Sequence, residues 1–289
     1  MISRNDPCYC GSGKKWKKCH YPEQPSSEIS TDAEYYLNKY EVVLKSPEQI
    51  KKIRTACKLS RDICTELVKA SKVGVTTNEL NDLSDKLHKD AGAIAAALHY
   101  GEPPFPKGIC TSLNEVICHG IPNDEPLKEG DIMNIDVASI LDGYYGDTSQ
   151  MVVIGKTSVS KQKVVDVSYE ALMRSISILR PGLPICEIGR TIEEYAAKEG
   201  CSVVYQFVGH GVGIHFHEAP QVCHHMNNDP MPLAAGMIFT IEPMINAGKR
   251  EAVLDQENKW EARTIDGQAS AQWEHTVLIT EDGHEILTI

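Results

Sequence analysis

Apolar residues recur at helical spacing through Ile50, Ile53, Cys57, Ile63 and Leu67, and the run stops at Gly74. Just ahead of it, Ser46-Pro47-Glu48-Gln49 supplies an N-cap, a proline at the first helical position and a glutamine three residues after the cap. A helix therefore starts at Pro47. Thr76 and Glu79 repeat that start signal, and Leu80, Leu83 and Leu87 carry a second helix. From Ile132 to Ile154 the pattern changes to an alternation rich in Ile and Val, interrupted by Leu141-Asp142-Gly143, which predicts a hairpin. Helical spacing returns over 160–179 and 185–198 with Arg180-Pro181-Gly182 between, and strand-like stretches follow over 237–245 and 272–279. The body reads as α+β.

The same order occurs twice, and so do the letters. Leu127-x-x-Gly130-x-Ile132-x-x-Ile135-Asp136 aligns with Leu233-x-x-Gly236-x-Ile238-x-x-Ile241-Glu242. Asp147-Thr148-Ser149 and Glu274-His275-Thr276 each introduce a β-branched apolar run, and His119-Gly120 and His210-Gly211 each follow an apolar stretch. Three matches in one order imply an internal duplication with a polar site between the halves.

Composition narrows the class. The 289 residues are 42% hydrophobic and 24% charged, and no apolar run approaches the ~20 residues that span a bilayer. The start, MISRNDPCYC, lacks the apolar stretch of a secretory signal. A cytoplasmic protein with no membrane attachment, monomeric, is the expectation. A net charge of -11 argues against a general nucleic-acid binder, yet residues 1–25 carry +3 and the remainder -14. Residues 22–30, PEQPSSEIS, have no apolar period, so 26–45 is expected to be a linker between a module at 1–25 and a catalytic domain at 46–289.

Asp136 and Asp147 lie symmetrically about Leu141-Asp142, so the hairpin is expected to set them face to face, with Cβ atoms about 4.5–5.5 Å apart. Unpaired like charges are costly on a strand flanked by Ile135 and Val137. Glu242 beside Ile241, and Glu274 beside Trp273, repeat the anomaly. Any one of these acids alone reads as a salt-bridged or edge-strand residue. At matched positions in a duplicated frame they point instead to two divalent metals, with His210 of Gly209-His210-Gly211 as the nitrogen ligand.

The motifs Asn114-Glu115-Val116-Ile117-Cys118-His119-Gly120, Asn134-Ile135-Asp136, Gly146-Asp147-Thr148, Gly209-His210-Gly211, Thr240-Ile241-Glu242-Pro243 and Gln272-Trp273-Glu274-His275-Thr276 resemble those of type I methionine aminopeptidases. The resemblance runs over about residues 40–289 and implies the pita-bread fold with its pseudo-two-fold repeat. It implies that Asp136, Asp147, His210, Glu242 and Glu274 hold two ions of Co, Mn, Fe or Zn, with Asp147 and Glu274 bridging. Attack on the first peptide bond of a nascent chain would be assisted by Glu242, His119 and His217, the histidines binding substrate and moving protons. Cys110, Phe216 and Trp260, with Tyr100 and Phe105, would line the methionine pocket, although core packing is the plain alternative for Phe216 and Trp260. Tyr100-Gly101-Glu102-Pro103-Pro104-Phe105 is longer than the common bacterial spacing. Asn114, Val116 and Ser270 match groups that hold sodium or potassium in the family.

Two other readings stay open. A silent adaptor of this fold, binding ribosomes or RNA, would be expected to have lost metal ligands. A proline-directed aminopeptidase usually has a large additional N-terminal domain, for which 289 residues are expected to be too few. At the N-terminus, Cys8-x-Cys10 and Cys19-His20 form a tetrahedral zinc ligand set in a segment too short for an apolar core. The segment resembles the SEC-C motif, and its basic charge makes the ribosome a candidate partner. A disordered basic tail with three incidental cysteines is the alternative.

Overall fold

The computed structural model describes residues 4–5, 14–19 and 31–289. The expected zinc ligands Cys8, Cys10 and His20, and the 22–30 stretch, lie outside the described residues; Cys19 is described and exposed. The chain divides into two units, Met1–Val43 and Leu44–Ile289.

In the first unit a single turn of 3₁₀ helix, Trp16–Lys18, ends on Cys19, and the Lys17 amide donates to the Arg4 carbonyl at 3.0 Å. The expected linker over 26–45 contains a helix, α1, Thr31–Tyr40. It escapes a search for apolar period because its sequence, TDAEYYLNKY, replaces an aliphatic stripe with tyrosines. Asp32 and Glu34 in its first turn and Lys39 in its last suit the helix dipole, and the Tyr35 and Tyr36 rings meet edge-on at 5.5 Å.

The second unit opens with α2, Pro47–Ala70, whose capping box from Ser46 and Gln49 is formed as expected. Thr76 and Glu79 likewise cap α3, Thr77–Asp90. Strand Ile132–Leu141 then runs antiparallel to Tyr144–Val153 through a two-residue turn. On its other side it pairs with the short strands Ile94–Ala95 and Cys110–Leu113. Alternation sends Met133, Ile135 and Val137 into a core with Ile63, Cys64 and Leu67 of α2. Each such side chain contributes roughly 1.5–3 kcal/mol by burial. The helix sits hard on the sheet, for a Cβ on Gly146 would lie within 2.3 Å of the Cys57 amide nitrogen.

The second half repeats the plan with α4, Val159–Ser177, and α5, Cys186–Lys198, followed by Ile238–Ile241, Met244–Asn246, Ser270–Gln272 and His275–Ile279. Matched glycines carry the correspondence into geometry: φ is 91° at Gly130 and 89° at Gly236, a region that favours glycine. The Gly130 amide donates to the Ile154 carbonyl at 2.7 Å, and the Gly236 amide to the Ile279 carbonyl at 2.9 Å. Among the described residues no helix is long and apolar enough to cross a membrane.

Candidate active site

The alternation that buries Ile135 and Val137 turns Asp136 and Ala138 to the opposite face, where a cavity of about 290 Å³ opens between the halves. Asp136, Asp147, His210, Glu242 and Glu274 all line it, as do His119 and His217. The expected face-to-face pair does not form. Asp136 stands opposite Ser149, and Asp147 opposite Ala138, so the two acids are diagonal neighbours on one face. The turn residues are Asp142 and Gly143, with φ of 51° and 81°, which moves the centre of the hairpin by one residue. Strand Ile238–Ile241 pairs Ile241 with His275, and Met244 pairs with Gln272, so the same register sets Glu242 opposite Glu274.

The acids are held by groups that the sequence reading passed over. Thr240 Oγ1 donates to Glu242 Oε1 at 2.7 Å, and Gln272 Nε2 donates to Glu242 Oε2 at 3.0 Å. The Glu242 amide donates to Nε2 of the buried His224 at 3.1 Å. Thr148 Oγ1 donates to the Glu274 carbonyl at 2.9 Å, and Thr276 Oγ1 to the Asp147 carbonyl at 2.7 Å. A period of two counted from the acids would have found Thr240, Met244 and Gln272. Counted back from His210 it would have found Gln206 and Val208, which line the cavity with Phe207. His224 offers no such signal, being brought in from a different strand end.

His210 Nδ1 lies 3.0 Å from the Gly211 carbonyl, an acceptor only, so that nitrogen carries the proton. Nε2 is left as a lone pair 3.7 Å from Asp147 Oδ2 and 3.6 Å from Glu242 Oε1. Burial holds the ring neutral, pulling its pKa to about 4. Burial also pushes Asp136 up to about 7 and Glu242 up to about 8, and raises Asp147 and Glu274 well above the usual carboxylate range with help from their acidic neighbours. No lysine or arginine among the described residues lines this cavity. Asp147 Oδ1 is buried without a hydrogen-bond partner, and one ligand atom each from Asp147, His210 and Glu274 lie within 4.8 Å of one another. An orphaned carboxylate oxygen, a lone pair fixed by its tautomer and uncompensated acids together fit divalent cations of the first transition row.

His119 and His217 are both pulled down by burial, to about 4 and about 3. Beside them, Tyr100 stacks on His217 at 5.0 Å and meets Phe216 edge-on at 4.9 Å. Phe105 meets Trp260 edge-on at 5.3 Å, and Trp260 Nε1 donates to the Pro103 carbonyl at 2.9 Å. Cys110 completes this wall. The long 100–105 stretch loops outward, closed by the Phe105 amide on the Tyr100 carbonyl at 2.8 Å, so both rings stay on the cavity. Away from the cavity, the Ser270 amide donates to the Asn114 carbonyl at 2.8 Å, two residues from Val116. Lys161 Nζ takes the Asn114 side-chain oxygen at 2.7 Å.

Residues 51–281 match metallopeptidase family M24, and residues 4–22 match the SEC-C motif. A methionine aminopeptidase of Chlamydia pneumoniae is 62% identical over 288 residues, covering 100% of this chain and 99% of its own. The crystal structure of methionine aminopeptidase from Rickettsia prowazekii matches with a TM-score of 0.83 at 44% identity, over 86% of this chain and 100% of that one. The prolidase from Pyrococcus horikoshii has a TM-score of 0.69 at 23% identity, a likeness of fold, with 64% of that chain covered.

Proposed function

Since the chain belongs to metallopeptidase family M24, and within it to the methionine aminopeptidases with their pita-bread fold, we propose that it removes the initiator methionine from nascent polypeptides whose second residue is small. The observation that carries this reading is one cavity in which four acids and a tautomer-fixed His210 adjoin two neutral imidazoles and a soft aromatic wall. Two divalent ions held by Asp136, Asp147, His210, Glu242 and Glu274 would supply charge stabilisation and an activated water. His119 and His217, uncharged at neutral pH, accept or donate at the scissile amide and deliver a proton to the leaving amine. With the metals in place Glu242 would be held as a carboxylate and would take the proton of the attacking water, which His119 or His217 would relay to the leaving amine. Cys110, Phe216, Trp260, Tyr100 and Phe105 receive the thioether, a polarizable group that packs well on ring edges.

Neither the silent adaptor nor the proline-directed enzyme is favoured by any feature of this cavity. The test is release of methionine from Met-Ala-Ser and Met-Lys-Ser by metal-stripped and metal-restored protein. Turnover that returns with metal and prefers Met-Ala-Ser supports the reading; comparable kcat/KM for the two peptides ends the small-residue preference. Cobalt, manganese, iron and zinc restored in turn would rank the metals, and sodium or potassium at Asn114, Val116 and Ser270 is tested in the same assay.

For the N-terminal unit, we infer a structural zinc on Cys8, Cys10, Cys19 and His20, supported by the SEC-C match over residues 4–22. The +3 charge of residues 1–25 against -14 for the rest supports ribosome contact by this module. We take the enzyme to act as a monomer in the cytoplasm, where nascent chains emerge. Metal analysis of full-length and truncated protein, with co-sedimentation on ribosomes, separates these points: absence of zinc ends the metal assignment and equal co-sedimentation ends the docking.

A further inference from the structure

The one lysine-carboxylate pair sunk into the interior among the described residues lies directly behind the loop that carries Phe216 and His217. Lys45 Nζ is 2.7 Å from Glu218 Oε1, with side chains 1% and 9% exposed. Every other lysine or arginine pair has a partner well open to solvent. Burying two charges costs several kcal/mol, and their attraction returns that only when geometry is fixed. A pair of this kind contributes little to stability that apolar side chains would not, so its place in the fold decides its role.

Both ends are fixed by backbone. The Lys45 amide donates to the Gly236 carbonyl at 2.8 Å, and the next residue, Ser46, caps α2. Glu218 opens strand Glu218–Val222 and pairs with Gly211, one residue past His210. The ladder is irregular there: His210 faces Gln221 while Gly211 faces Glu218, so the pairing that ought to anchor residues 212–217 slips at the point where they rejoin the sheet. His217, the neighbour of Glu218, lines the cavity. Its ring centroid lies 4.0 Å from that of His210, and the Tyr100 and Phe216 rings pack against it at 5.0 and 4.4 Å.

We propose that the Lys45–Glu218 ion pair is a positioning device for His217, replacing the strand pairing lost at the irregularity and holding the imidazole over the cavity from behind. Neither residue lines the cavity. The inference rests on the reading of His217 as a group that acts on the scissile amide.

The test is a double-mutant cycle on metal-loaded, full-length protein with Met-Ala-Ser. Lys45→Met is expected to lower kcat about 10-fold while both catalytic metals remain bound, and to do nothing further in a His217→Ala background, because the effect passes through that ring. The double variant Lys45→Met/Glu218→Met removes the charges together, so its melting temperature is expected to return towards wild type while kcat stays about 10-fold down. Equal losses from Lys45→Met with and without His217 would overturn the proposal, as would recovery of kcat together with stability in the double variant. An inactive wild-type protein with full metal would instead overturn the aminopeptidase reading, which keeps the two failures distinct.

Discussion

In the first half of the catalytic unit, Asp136 and Asp147 ride on one uninterrupted hairpin of ten residue pairs and sit diagonally across it. In the second half, Glu242 and Glu274 stand where both strands break, directly opposite one another by register. Pro243 lacks an amide hydrogen and cannot continue a ladder, which explains the break on one strand. The break has a use. Freed from its own hairpin, the Glu274 amide donates to the Ser149 carbonyl at 3.2 Å, in the other half. An unbroken hairpin gives rigid placement of two acids, whereas a broken one gives up local pairing to join the halves at the site itself.

The largest effects should come from the acids of both halves. Asp136→Asn and Glu242→Gln are each expected to reduce turnover at least about 100-fold and to lower metal content, because an amide is a much poorer ligand than a carboxylate. Metal analysis beside the peptide assay checks this. Near wild-type turnover with full metal in either variant would break the equivalence of the halves.

Metal removal should expose the electrostatic cost. In metal-free protein burial raises Asp136 to about 7 and Glu242 to about 8, so the folded state holds protons that the unfolded chain has already released. A carboxyl raised in this way contributes stability below its unfolded value, near pH ~4, and that contribution is lost as pH rises towards the folded value. Below about pH 6.5 the buried neutral histidines act in the opposite sense, so melting temperature in chelator is expected to fall between about pH 7 and 8, and to hold or rise when the metals are restored. A metal-free protein that grows more stable over that interval would contradict the sign.

A smaller effect tests the stitching between halves. Thr148 and Thr276 exchange hydroxyl bonds with the carbonyls of Glu274 and Asp147, both buried. Thr148→Val and Thr276→Val should each cost about 1–3 kcal/mol, the penalty of an unsatisfied buried carbonyl, and should cost alike. Denaturant titration reads both. A large inequality would mean that one half anchors the junction alone.

What the letters made legible follows from what is local. Ser46 with Gln49 and Thr76 with Glu79 announce their helices because capping is settled within four residues. The duplicated frame announced the five polar residues that meet at the cavity, since a polar residue at a repeated position is visible without knowing the pairing. Register was not legible: whether Asp136 faces Asp147 depends on which two residues form the turn, and the positive φ at Asp142 and Gly143 places it one residue later than Leu141-Asp142. Helix α1 was hidden because tyrosines stand where aliphatic residues would mark a stripe. His224 was hidden because its partner, the Glu242 amide, is eighteen residues away and meets it only through folding.

The smallest expected effect isolates that turn from the site it registers. At Gly143 φ is 81° and nothing lies within 4 Å of where a Cβ would be, so Gly143→Ala is a test of backbone strain without a clash. Holding a non-glycine residue in the left-handed region costs about 1 kcal/mol, which should lower the melting temperature by roughly 2–4 °C for a domain of this size. The hairpin should nevertheless keep its register, because slipping by one residue would turn Met133, Ile135 and Val137 out of the core and Asp136 into it. Activity on Met-Ala-Ser is thus expected to stay within about 2-fold of wild type with both metals bound. Loss of metal in Gly143→Ala would mean that the turn itself, and not the packed face of the hairpin, holds the two aspartates on their diagonal.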